Sequence, residues 1–531
     1  MKRANNWSYH IFIFGLLIVL AGCQNDAGIT LLPSSNQSNE TINLSGGQPR
    51  TMDPALTLGG PSGALGHVFS GLTALDANLQ VQPELAAGWT VSEDGRIYTF
   101  YLHENAVFHN GRAVTASDVV FSWERAADPA LGSDTAQTYL GDIAGVMDKI
   151  NGRSDTISGL RVIDEHTLEV TLAEPVVYFL AKIAYPVAYI VDEQTVETPN
   201  WEREPNGTGP FRLASWQDDE RMALVRHDDY YGDPAFVQRV VYDLGPSLSF
   251  AEYEQGNIDL VGVGGANLDR VQDPNSPFIS QLKTGVSMCT TSIGLNAALV
   301  PLDDVRVRQA FSMAIDREQL INAFWGGDAL LANGSLPPGM PGFNIELEGV
   351  TFDPEGARQL LNEAGFGNPA DLPRLTYTTS GFGEVSDFVT AVIIQWQTNL
   401  GVQIEPQVIE PFQYYDEIYA GNVGHFFGSG WCADYPDPQN FLDILYHSES
   451  PQNNGNFSNP QIDTLLEQAR VERDTTARLA LYADIEQLIV NEAPEIFIAH
   501  GLTAVLVSPD LIGYQLAPIG VRQWHRVSVE R

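Results

Sequence analysis

Lysine is nearly absent from this chain of 531 residues: Lys2, Lys149, Lys182 and Lys283 are the only four. Arginine supplies the remaining positive charge, and 28 Lys and Arg face 67 Asp and Glu, a formal net charge of −39. That balance excludes a nucleic-acid partner, because gripping a phosphate backbone takes dense Lys and Arg. None of the four lysines follows a glycine, so the GxxxxGK[ST] phosphate loop is missing and the chain is no NTPase of that kind. HExxH and GxSxG are missing as well, and the ten histidines form no pair at metal-ligand spacing. There are three cysteines and no CxxC, so neither a zinc site nor any cofactor is expected. Many acidic pairs exist, as they must in so acidic a chain, but nothing singles out one as a glycosidase pair.

The strong acidity reads first as a solvated surface that keeps the protein soluble. It also creates a field that attracts cationic ligands. Apolar residues make up 44% and charged ones 18%, the composition of a globular protein with a real core. Length alone sets an expectation of about three domains.

Long apolar runs are confined to the N-terminus. Lys2 and Arg3 precede IFIFGLLIVLA at 11–21, too short to span a bilayer but suited to the h-region of a signal peptide. LAGC follows and ends at Cys23. Small residues before a cysteine match the bacterial lipobox, which makes 1–22 a lipoprotein signal peptide and Cys23 the lipidated first residue of the mature chain. Polar residues 23–40 suit a flexible tether. The expected location is extracytoplasmic, cell surface or periplasmic, with the protein anchored to the membrane by lipid. With Cys23 so used, Cys289 and Cys432 remain, and an oxidising compartment allows them to pair.

From residue 41 onward strands and helices alternate. RLTYTTS at 374–380 reads as a strand. Val385, Phe388, Val389, Val392, Ile393, Trp396 and Leu400 then recur at helical spacing, Gly401 stops the helix, and VQIEPQVI is a second strand. Strand, helix, strand is a parallel βαβ unit. Ligands of such sheets gather beyond the C-terminal strand ends, where SGFG with Ser380 and Phe382 lies. Asp353 before Pro354 and Asn459 before Pro460 are helix N-caps. Leu481, Tyr482, Ile485, Leu488 and Ile489 form another apolar stripe, and Thr115 with Asp118 stands where an N-cap and its partner belong.

One stretch holds unusual chemistry. GSGWCADYPDPQNF at 428–441 sets Trp431, Cys432, Asp434 and Asp437 among turn residues. Cys432 admits three readings: catalytic thiol, metal ligand, or brace of a ligand pocket. A catalytic thiol needs a histidine in reach, and only His425 and His447 are near in sequence.

Six stretches together resemble the oligopeptide- and dipeptide-binding class of ABC-transporter solute receptors. They are PELAAGWTVSEDGRIYTFYLHENAVFHNGRAVTASDVVFSWER at 83–125, NGTGPFRL at 206–213, DDVRVRQAFSMAIDREQLI at 303–321, FDPEGARQLLNEAGF at 352–366, GWCADYPDPQNF at 430–441 and NFSNPQIDTLLEQAR at 456–470. They follow the family's order, and the resemblance runs from about 42 to 494. The resemblance implies an α/β, two-lobed periplasmic-binding-protein-like fold of the hinged type II, with an extra subdomain in lobe one. Lobe one would comprise 41–80, 205–286 and 500–531, the extra subdomain 81–204, and lobe two 287–499. It implies a receptor rather than an enzyme, working as a monomer, that captures peptide and delivers it to an ABC permease with separate ATPases.

The resemblance also implies site roles. Cys289, in SMCTTSIGLN, would bond Cys432 and brace the pocket. Asp434 would bind the peptide α-ammonium, since an enclosed ammonium needs a charged hydrogen-bonding partner. Gly430, Trp431 and Cys432 would offer backbone groups to an extended peptide by strand addition. Its side chains would sit in wet pockets, where water adapts to them. Gly59 and Gly60 align with a ligand-lining loop. One departure stands out: some members carry an arginine four residues before the cysteine, where it meets a short peptide's carboxylate, and this chain has Gly428 there. The family also includes receptors for oligosaccharides, opines and metal chelates, which keeps a non-peptide ligand open. A hydrolase on a receptor-like fold is the remaining alternative and would need a nucleophile, base and orienter in contact.

Overall fold

The computed structural model describes residues 40–58, 60–245, 249–326 and 328–531. The expected signal peptide 1–22, Cys23, nearly all of the expected tether and Gly59 lie outside these residues. Among the described residues no helix is long and apolar enough to cross a membrane.

The local signals in the sequence form the elements they encode. Leu375–Ser380 and Ile404–Ile409 are parallel strands paired from Leu375↔Ile404 to Ser380↔Ile409, with helix Asp387–Leu400 between them. Gly401 ends that helix at φ 72°, a left-handed conformation that glycine adopts without a Cβ penalty. The Asp353 carboxylate accepts from the N–H groups of Glu355 and Gly356 at the start of helix Pro354–Glu363, and Asn459 caps helix Pro460–Val471 in the same way. The Asp118 carboxylate accepts from the Thr115 N–H at 2.8 Å and its hydroxyl at 2.9 Å. The stripe around Leu481 belongs to a longer helix, Thr475–Glu492, capped by Asp474.

Eleven strands among the described residues form one curled sheet. Its order is Ile404–Ile409, Leu375–Ser380, Phe426–Cys432, Leu282–Leu295, Glu495–Val507, Leu260–Gly262, Thr41–Ser45, Arg239–Asp243, Arg221–Arg226 and Phe211–Gln217, with Ala329–Leu331 added beside Glu495–Val507. Two long antiparallel strands, Leu282–Leu295 and Glu495–Val507, therefore carry the chain between the two halves. Leu260–Gly262 pairs with the far end, at 505–507, and Phe426–Cys432 pairs with 289–295. Their ladder shifts register between Val286 and Thr290, so continuous pairing is interrupted where the halves meet.

A separate antiparallel sheet orders Ala86–Val91, Ile97–Leu102, Thr167–Thr171 and Leu160–Asp164. Its own core gathers Phe100, Phe108, Trp123, Tyr139 and Phe179, and that core also takes in Tyr435 and Ile444. Trp123 is wholly buried, and its indole N–H donates to the Ala188 carbonyl at 2.9 Å, as a buried indole must to stay satisfied. The site loop that includes Tyr435 thus packs against a core formed by segments far away in sequence. The result is a two-lobed α/β fold with an added subdomain.

A cavity beside an open strand edge

Strand Phe426–Cys432 is built to leave one edge open. On one side all seven residues pair with 289–295, from Cys289↔Cys432 to Leu295↔Phe426. On the other side only Phe426 and Phe427 pair, with Tyr377 and Thr378. Residues 428–432 have no strand neighbour there among the described residues, and they line a cavity of about 820 Å³. Gly430 is required by close approach: a Cβ there would lie 2.8 Å from the Thr290 carbonyl oxygen.

Cys289 and Cys432 are disulfide-bonded, with Cα atoms 3.9 Å apart. They stand directly opposite one another at the end of the ladder. The bond ties the strand just before the chain turns into Ala433 and Asp434.

Beyond that tie Asn440, wholly buried on helix Gln439–Tyr446, organises the loop. Its Oδ1 accepts from the Asp434 N–H at 2.9 Å and from the Trp431 indole N–H at 3.2 Å. The Asp434 carboxylate accepts from the Tyr139 hydroxyl at 2.5 Å and the Asn440 amide at 3.4 Å. Tyr139 is itself stacked on Tyr185 with ring centroids 3.9 Å apart. No cation pairs with Asp434 among the described residues. Burial pushes its carboxyl up to about 6, against the lowering effect of the Tyr139 and Asn440 hydrogen bonds. The neighbouring Asp437 differs, because Arg478 meets it at 2.8 Å. Of the loop's two aspartates, only Asp434 still lacks a counter-charge.

Asp434, Trp431, Gly430, Cys432, Gly60 and Ser380 all line the cavity. Phe382 does not: it stands 76% exposed beyond the strand end. Gly428 also lines the wall, and its carbonyl accepts from the Tyr414 hydroxyl at 2.8 Å. A Cβ at Gly428 would come 3.1 Å from that hydroxyl oxygen, so the phenol occupies the ground a longer side chain would need. Sequence reading missed Tyr139, Tyr185, Tyr414, Tyr419 and Glu495, all part of the lining. None lies in a motif, and Tyr139 reaches Asp434 across 295 residues of chain.

The profile of the bacterial extracellular solute-binding proteins, family 5 (middle), matches residues 80–453. The periplasmic oligopeptide-binding protein OppA of Salmonella typhimurium is 31% identical over 492 residues, covering 89% of both chains. The structure of the Escherichia coli murein tripeptide binding protein MppA superposes with a TM-score of 0.82 at 28% identity, over 92% of this chain and 98% of that one. The unliganded open form of MppA superposes less well, at a TM-score of 0.69 and 27% identity, over 93% of this chain and 98% of that one. The proteins of this family are solute receptors and not enzymes, and their shared fold explains the order in which these elements assemble around the cavity. The chain belongs to the bacterial extracellular solute-binding proteins of family 5, in the oligopeptide- and dipeptide-binding class of ABC-transporter receptors.

Proposed function

We propose that this protein is an extracytoplasmic, lipid-anchored receptor that captures oligopeptides between its lobes and hands them to an ABC permease. The observation that carries the ligand class is the open edge 428–432 ending at a carboxylate with no counter-charge. An extended peptide adds to such an edge through its backbone, which is blind to side chains. Its α-ammonium meets Asp434 at the end and supplies the missing charge. The likeness to OppA supports the same reading.

Lobe one comprises 41–80, 205–286 and 500–531, with 81–204 as its added subdomain, and lobe two comprises 287–499. The register shift between Val286 and Thr290 supports a hinge there, because a broken ladder bends more readily than a continuous one. Tyr139 on Asp434 and Arg50 on Asp416 at 2.9 Å join the lobes across the cleft. Ligand favours a closed arrangement only by its differential affinity for it. The closed monomer then docks on the permease, whose ATPases are separate chains.

Mass spectrometry of the ligand that co-purifies with native protein tests the class. Short peptides are expected; a sugar, opine or metal chelate in their place would refute it. Anchoring has its own test. Cys23→Ser should move the protein from the membrane to the soluble fraction, and wild-type protein found wholly soluble would refute the lipid anchor.

The affinity should also follow pH. Ammonium binding needs Asp434 ionised, and its carboxyl takes up a proton near pH 6 in the ligand-free protein. Affinity should be flat between about pH 6 and the α-amino value of about 8. Below about pH 6 it should fall roughly tenfold per pH unit. Calorimetry between pH 4.5 and 7.5 reads this directly, and a flat profile would count against Asp434 as the anchor.

A further inference from the structure

Two carboxylates line the cavity, Asp434 and Glu495, and no Lys, Arg or His stands among its described lining residues. Glu495 opens the strand Glu495–Val507. Its Oε1 accepts from the Ser429 hydroxyl at 2.8 Å, and its Oε2 accepts from the Ser292 hydroxyl at 2.8 Å and the Tyr446 hydroxyl at 3.1 Å. All three donors are neutral. Several buried carboxylates of this protein hold an arginine, whereas Glu486, buried outside the cavity, meets no cation among the described residues and accepts from the Leu336 N–H at 2.8 Å. Asp53 holds Arg125 at 2.6 Å, Asp443 holds Arg470 at 2.6 Å and Asp437 holds Arg478 at 2.8 Å. An enclosed carboxylate without a cation is unfavourable unless something brings the opposite charge. Burial holds the Glu495 carboxyl above its usual range, against the lowering effect of its three hydroxyl donors, and a cationic occupant of the cavity can supply the opposite charge.

Position says which part of the occupant. Through Ser429, Glu495 reaches the strand of the open edge from two strands away, near its Gly428 end, while Asp434 stands past its other end. Ser429 and Asp434 are five residues apart in the chain, at most about 17 Å when extended. A peptide anchored at Asp434 and paired along the edge passes Glu495 within its first few residues. Tyr414, Tyr415, Tyr419 and Trp431 line the same cavity, and their ring faces attract cations in their own right.

We propose that Glu495 is a second anionic anchor, which selects peptides carrying a lysine or arginine among their first five residues. The inference rests on the peptide reading above and deepens it. The neutral hydroxyls hold the carboxylate in place, and the side-chain cation of the ligand neutralises it. The acidic exterior, with its net charge of −39, steers such cationic peptides toward the cleft.

The test is calorimetry on the full mature protein with alanine-based hexapeptides. Lysine is placed in turn at the second to fifth positions, each peptide paired with its norleucine counterpart. At one or two positions lysine should bind about tenfold or more tighter than norleucine, the loss expected when a charged hydrogen bond is removed. Glu495→Gln should bring that ratio close to one. Equal affinity for lysine and norleucine peptides at every position of the wild type would overturn the proposal. So would a lysine preference undiminished in Glu495→Gln. Should the Gln variant fail to fold, Glu495→Asp draws the charge back by one methylene and must reduce the preference; no reduction overturns the proposal. Norleucine peptides that bind without any gain from lysine defeat this inference alone. If neither peptide binds, the peptide reading fails and takes the inference with it.

Discussion

Asp434→Asn should weaken peptide binding by about 2–5 kcal/mol and leave the fold standing. The loss is large because the change strands the ligand ammonium in an enclosed wall whose other polar lining is neutral or acidic. An exposed ion pair of the same geometry would contribute only ~0–1 kcal/mol. The fold should survive because the amide oxygen of the variant still accepts from the Tyr139 hydroxyl, and no cation is left unpaired in the ligand-free protein. Acetylating the peptide's amino end removes the same interaction from the other side. The two changes together should therefore be less than additive. The Asn variant should also lose the fall in affinity below about pH 6. Calorimetry with free and acetylated peptides on both proteins measures all of this. Equal affinity of the wild type for the two peptides would end the role of Asp434 and favour a non-peptide ligand.

Removing the Cys289–Cys432 disulfide should lower stability by about 2–5 kcal/mol. The bond closes a sequence separation of 143 residues, and chain-entropy reasoning puts the effect of so long a loop near the top of that range, at about 5 kcal/mol. Denaturant unfolding of the Cys289→Ser/Cys432→Ser double variant, in a Cys23→Ser background, reads the change as a lower midpoint. The non-reduced parent in that background should show no reactive thiol. Peptide affinity should fall as well. The disulfide fixes the end of the strand Phe426–Cys432 next to Asp434, and a looser edge must be ordered again when ligand binds. An unfolding midpoint unchanged by the double substitution would refute the stabilising role.

The same residues show how far the sequence reaches. Asp353 before Pro354, Gly401 after Leu400 and Thr115 with Asp118 set their helix ends from within a few residues, because caps act over one turn. The strand–helix–strand unit over 375–409 follows from spacing for the same reason. Even there reach was short. The helix Thr475–Glu492 begins well before its apolar stripe, since Asp474 starts it and nothing apolar marks its first turn.

The cavity depends on another scale. Interleaving 41–45 with 239–243 and running 282–295 against 495–507 are matters of strand register between distant segments. That register brings Ser292, Ser429 and Tyr446 to one carboxylate, Glu495, and sets Tyr414 over Gly428. Packing between segments far apart in the chain lays Tyr139 on Asp434. By itself the sequence determined the charge balance, the helix ends and, through its motifs, the family. Tertiary structure alone decided which carboxylates receive an arginine and which face the cavity without one. Local propensity fixes dihedrals over a handful of residues, whereas a counter-charge is assigned by whichever side chain the folded sheet brings within about 3 Å.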